Sequence, residues 1–101
     1  MERAISKNDV PIRLPYERWV HIIENHDDLA GYFDDVLNTV EDPDCILKGY
    51  GSALLAIKKS GVQKFLIVVY KELDEKDGFV ITAYFTTRLK LDKETVLWQK
   101  R

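Results

Sequence analysis

The chain has 101 residues, 46% hydrophobic and 32% charged, the make-up of one globular domain with no room for a second. Cys45 is the only cysteine, and nowhere do about 18 apolar residues run together, which argues against a disulfide-linked secreted framework and against a membrane span. The net charge of −2 hides an uneven distribution: residues 16–44 carry nine acids against Arg18 alone, and residues 45–101 carry eleven Lys or Arg against six acids. Placed on different layers, these segments give an acidic side and a basic side able to orient a polyanion. Solvated faces kept charged for solubility explain the same pattern.

Met1 to Val10 has no apolar signal region and reads as a flexible lead, which together with the lone thiol points to a cytoplasmic protein. Ile12 and Leu14, set between Pro11 and Pro15, suggest a short strand or extended lead-in, because residues before proline are pushed toward extended conformations. From Tyr16 to about Asn25, Tyr16, Trp19, Val20, Ile22 and Ile23 recur on one side at a helical period. Asp27 or Asp28 can cap a second helix carrying Leu29, Phe33, Val36, Leu37 and Val40, which Pro43 closes. Gly31 lowers helix propensity there, but the apolar stripe runs through it.

After Pro43 the period becomes that of strands. Cys45 to Lys48 is followed by a turn at residues 49–52, then by Ala53 to Lys59, a turn at Ser60-Gly61, and Lys64 to Lys71, apolar on both faces and therefore central. The Asp74 to Gly78 loop leads into the last long strand. Such short links predict an antiparallel meander, so the expected fold is α+β: two N-terminal helices packed on a twisted antiparallel sheet of about four or five strands. Residues 12–88 form its core and residues 89–101 a tail.

The last strand is the most informative. Its alternation predicts that Phe79, Ile81, Ala83 and Phe85 point inward while Thr82, Tyr84, Thr86 and Arg88 share the opposite face. That row suits phosphate or RNA: Arg88 offers a two-point guanidinium fork, Tyr84 can stack a base or donate a proton, and Thr82 and Thr86 supply hydroxyls. Lys48, Tyr50, Lys58, Lys59 and Lys64 add positive charge with an interleaved aromatic, a pattern suited to single-stranded RNA. Lysines of this kind also protect sheet edges.

Several short motifs occur in a telling order: Ile12-Arg13-Leu14, then Trp19-Val20-His21-Ile22 with His26, then Asp42-Pro43-Asp44-Cys45-Ile46, and finally Phe65 to Val69 with Gly78 to Tyr84. Together they resemble the small phage barnase, EndoU, colicin and RelE-like nucleases, over residues 12–88, and Leu97-Trp98 is similar to the tail of some members. Asp27 stands where many relatives have proline. The resemblance implies helices on a curved antiparallel sheet whose open face receives RNA. It also implies a metal-independent ribonuclease of toxin or phage origin, with an antitoxin or immunity protein as partner.

Metal-free RNA cleavage needs a base for the ribose 2′-hydroxyl, an acid for the leaving oxygen, and cations for the developing phosphorane charge. His21 and His26 are the only histidines. Five residues apart, they point about 140° from each other on one helix, so they cannot serve one site unless the helix ends between them. Either is a candidate for proton transfer, with Tyr84 positioning or donating and Arg88 with Lys48 stabilising phosphate charge. Structural roles, His26 fixing the helix end and His21 on the surface, account for them as well. The spacing is one residue too long for a His-Glu-x-x-His zinc site, and Gly49-Tyr50-Gly51 lacks the third glycine of a dinucleotide fingerprint. No metal and no cofactor is expected. The competing reading is a non-catalytic RNA- or protein-interaction module.

Overall fold

The computed structural model describes residues 2–89 and 94–101. The chain opens with a hairpin of β1 (Glu2–Ile5) and β2 (Pro11–Leu14), then α1 (Tyr16–Asn25), a single 3-10 turn (Asp27–Leu29) and α2 (Phe33–Glu41). Five strands follow: β3 (Cys45–Lys48), β4 (Leu54–Lys59), β5 (Phe65–Asp74), β6 (Asp77–Thr86) and β7 (Val96–Gln99). They form one seven-stranded sheet in the order β1-β2-β6-β5-β4-β3-β7, curled into a half-barrel. No helix among the described residues is long and apolar enough to cross a membrane.

The expected sheet, an antiparallel meander of about four or five strands, is therefore corrected in two respects. The β3-β4-β5-β6 meander is present, but β1 and β7 add edges from the stretches read as lead and tail. Each has only four residues, too few for alternation to stand out. The sheet is also mixed, because β2 runs parallel to β6. A parallel pair needs a long crossover, and here α1, α2 and three strands lie between the partners. Gly78 permits this pairing: a Cβ there would meet the Lys71 carbonyl oxygen at 2.5 Å and Ile12 Cδ1 at 2.6 Å.

The second helix also differs from expectation. Gly31 takes φ +89°, a left-handed conformation that costs glycine little, and it divides the stripe into the 3-10 turn and α2. Leu29 stays fully buried on the turn and Val36 and Val40 on α2, so the apolar residues keep their task while the backbone between them breaks.

The helices pack on one face of the sheet. Ile12, Leu14, Ala56, Leu66, Val68, Tyr70, Val80 and Ala83 meet Trp19, Ile22, Leu29, Val36 and Val40 in the main core. The opposite face holds a smaller cluster of Cys45, Leu47, Ile57 and Ile67, flanked by Leu55, Phe65, Val69, Tyr84 and Leu89. Cys45 is buried there, and burial pushes its thiol up from the ordinary value, as suits a packing residue better than a nucleophile.

Within β6 the alternation changes phase. Val69 pairs with Thr82 but Tyr70 pairs with Val80, leaving Ile81 as an extra residue in a β-bulge. Ala83 and Phe85 face the helices as expected, whereas Gly78 and Val80 are buried in place of Phe79 and Ile81. Thr82, Tyr84 and Thr86 still share the opposite face, because all three follow the bulge.

Tyr70 is the largest fully buried side chain, and its hydroxyl has no hydrogen-bond partner among the described residues. Burial, reinforced by the Glu72 carboxylate, raises its phenol far above the ordinary range. An unpaired buried hydroxyl costs about 1–3 kcal/mol. Tyr70→Phe is accordingly expected to leave stability unchanged or raise it by about 1 kcal/mol, measured as the urea unfolding midpoint. A loss of more than about 1 kcal/mol would show that the hydroxyl is bonded.

Candidate nucleic-acid interface

β2 pairs with β6 only at Ile12 with Gly78 and Arg13 with Phe79. Beyond Phe79 the β6 edge has no strand partner among the described residues, and α1, entered through Pro15, runs beside it. Arg18 Nη1 donates to the carbonyl oxygen of the bulge residue Ile81 at 3.4 Å, and the His26 ring lies 6.0 Å from that of Tyr84. Eight helical residues rise about 12 Å and three strand residues about 10 Å, so the helix and the strand edge stay in step.

Trp19 and Ile22 hold α1 down, Trp19 meeting Phe33 edge to face at 5.3 Å. The helix ends before His26, whose N–H donates to the Ile22 carbonyl at 2.8 Å while its backbone leaves helical geometry at φ −137°, ψ 73°. That departure separates the imidazole from the register of His21 and brings it against Tyr84, the two rings tilted by 34°. The half-buried Tyr84 pairs with Ile67 on the sheet face away from α2. Burial first, and the Glu94 carboxylate second, push its phenol above the ordinary value, so it stays protonated at neutral pH and can donate.

Farther along, Thr86 and Arg88 form a local turn in which the Arg88 N–H donates to Thr86 Oγ1 at 3.1 Å. The exposed Arg88 side chain lines a recess of about 380 Å³ with Asp28, Lys64, Phe85, Thr86 and Thr87. Lys64 Nζ stands over the Phe85 ring at 4.2 Å, a second cation at this end of β6. Thr86, Arg88 and Lys64 share this recess with the helix-facing Phe85, whereas neither His26 nor Tyr84 lines it; Tyr84 lies four residues before Arg88 on the chain, and Thr82, half-buried, two residues before Tyr84.

The remaining expected contacts lie elsewhere. Lys48 pairs with Leu54, whereas Thr86 connects through Phe65 to Lys59, five residues away on β4 and about 16 Å along the strand. Tyr50, in the same turn as Lys48's end of the sheet, is fully exposed. Lys58 faces the α2 side, with Nζ 3.5 Å from Asp42, which also takes Lys100 at 3.3 Å. Lys100, then Lys58, hold the Asp42 carboxyl below its usual range.

His21 opens onto a different feature, a groove of about 550 Å³ beside Arg13, Glu17, Arg18, Leu73 and Phe79. The sequence patterns assign no site role to Arg13, Glu17, Arg18 or Phe79, and place Phe79 inward. The one available signal is that Glu17 and His21 stand four residues apart, on one helix face. Among the described residues no three His, Cys, Asp or Glu side chains gather as a metal-holding group.

Arg13 grips Asp77 at two points, Nε to Oδ1 at 2.7 Å and Nη2 to Oδ2 at 2.9 Å. The hydrogen bond from Arg13 holds the Asp77 carboxyl below the usual carboxylate value. A lowered folded value means the pair stabilises the fold above the unfolded carboxylate pKa of about 3.9 and that this support is lost as pH falls below it. The urea midpoint of the wild type should therefore fall more steeply between about pH 5 and pH 3 than that of Asp77→Asn. Parallel curves would contradict this role.

No family model, no curated protein and no solved structure matches this chain.

Proposed function

We propose that the protein is a metal-independent ribonuclease of the barnase, EndoU, colicin and RelE-like kind, acting on single-stranded RNA at the His26–Tyr84 end of β6. The observation that carries this reading is the meeting of an imidazole just past the end of α1 with a strand-borne protonated phenol, 6.0 Å between rings, on the strand that leads four residues later to Arg88. His26 takes the proton of the ribose 2′-hydroxyl, and the freed oxygen attacks phosphorus. The bond to the 5′ oxygen breaks and Tyr84 protonates that oxygen, leaving a 2′,3′-cyclic phosphate and a 5′-hydroxyl. Arg88, with Lys64 beside it, balances the charge on the phosphorane.

Purified protein with labelled single-stranded RNA in EDTA tests the proposal, alongside Tyr84→Phe and Arg88→Ala. Cleavage by the wild type, slowed about 10²–10³-fold in each variant, is the expected result. Binding without cleavage would instead make this end of the sheet a phosphate-contacting module. Absence of binding would favour a protein-interaction role.

A further inference from the structure

The groove between α1 and β6 is not needed for the chemistry at His26, yet it encloses about 550 Å³ and its lining is specific. Arg13 and Arg18 meet there with His21, Glu17, Phe79 and Leu73. The fork to Asp77 occupies Nε and Nη2 of Arg13, leaving Nη1 with two donors. Among the described residues Arg18 is held only by its 3.4 Å contact to the Ile81 carbonyl, at the long limit of a hydrogen bond, so its guanidinium can be redirected at little cost. Phe79 is half-buried and Leu73 is 52% exposed, so an apolar wall stands open beside the cations. Cations next to an accessible aromatic are the combination by which proteins hold single-stranded nucleic acid: phosphate on the guanidinium, base on the ring.

Glu17 sets the class of ligand more narrowly. Its carboxylate repels a phosphate placed on it, but it accepts a hydrogen bond from a ribose hydroxyl, the group that distinguishes RNA from DNA. Arg18 lies about 12 Å along α1 from its His26 end, so the groove sits further along the helix than the His26–Tyr84 contact.

We propose that this groove is a nucleotide subsite for single-stranded RNA. Arg18 and Arg13 hold a phosphodiester of the strand away from the one cleaved, Phe79 and Leu73 receive its base, and Glu17 accepts from its ribose 2′-hydroxyl. The RNA identity of the ligand rests on the ribonuclease reading; the groove's capacity to bind a phosphodiester beside an aromatic wall does not.

The test is fluorescence anisotropy of a labelled single-stranded RNA octamer in EDTA, over a salt series, with wild type, Arg18→Gln, Phe79→Ala and Glu17→Gln. Arg18→Gln should weaken binding about tenfold and reduce the slope of log K against log salt by about 0.7, the value for one phosphate contact on a single strand. Phe79→Ala should weaken it by about 5–100-fold through lost stacking. Glu17→Gln should narrow the preference for RNA over DNA of the same sequence. Unchanged affinity and slope in Arg18→Gln would overturn the subsite, even if the protein cleaves RNA. Normal groove binding by a protein that cleaves nothing would leave the subsite standing and remove the ribonuclease reading instead. Should a variant fail to fold, ring resonances of His21 and Phe79 in the wild type must shift on adding a trinucleotide; shifts confined to other residues would overturn the proposal.

Discussion

His26→Ala is expected to slow RNA cleavage about 10²–10⁴-fold, the usual contribution of a positioned proton-transfer group. The position tolerates the change structurally: the cap at the end of α1 is made by the backbone N–H of His26 to Ile22, which alanine retains. The imidazole is half-buried against one ring and stands outside the main core, so stability should fall by only about 1 kcal/mol through the lost ring contact. Single-turnover rates in EDTA, with urea unfolding of the same preparation, separate the two effects. Partial restoration by added free imidazole would mark the lost group as one that transfers a proton in the reaction. A variant that folds and cleaves at the wild-type rate would remove His26 from the chemistry and leave a helix-ending role.

Ile22→Ala is expected to produce the largest loss of stability, about 2–5 kcal/mol, because Ile22 is 1% exposed and packs directly into the main core. A domain of this size has a total stability of about 5–15 kcal/mol, so the remaining margin would be thin. Ile22 also joins α1 to the sheet between His21 and His26. The same substitution should therefore loosen both the His26–Tyr84 contact and the α1–β6 groove, and raise the RNA concentration needed for half-maximal cleavage. A urea titration with an unchanged slope and a midpoint displaced to lower urea is the expected record. A loss under about 1 kcal/mol would mean that α1 is held mainly by Trp19 and the strand-edge contacts.

Much of the fold could be read from the sequence wherever one element carried its own period. α1 runs over Tyr16–Asn25, the span marked by its apolar stripe, and β3 runs over Cys45–Lys48 as expected. The breaks could not be read this way. Leu29 and Phe33 are four residues apart both on a continuous helix and across the Gly31 break, so spacing alone cannot reveal the left-handed residue between them. The β6 bulge is hidden for a related reason: Phe79, Val80 and Ile81 are all apolar, and either phase satisfies the pattern. The parallel pairing of β2 with β6 joins residues more than sixty positions apart, as does the Arg13–Asp77 fork. Nothing in the local sequence of either partner announces them.

The site divides along the same line. Thr82, Tyr84 and Thr86 share a face because strand geometry requires it, and that was legible. The approach of His26 to Tyr84 is a tertiary result of α1 lying along the open edge of β6, and the separation of the two histidines follows from the helix ending at Asn25. Arg13, Glu17, Arg18 and Phe79 come from three different elements, so their convergence in one groove has no sequence signature. The lysine set expected to act together is scattered by register, Lys48 to the far end of the sheet and Lys58 to Asp42 beneath α2.

The most direct test is the chemistry of the ends produced when single-stranded RNA is treated with purified protein in EDTA. A 2′,3′-cyclic phosphate on one fragment and a 5′-hydroxyl on the other, both absent with His26→Ala, are the predicted products. RNA left intact at equimolar protein, or fragments ending in a 3′-hydroxyl and a 5′-phosphate, would contradict the account.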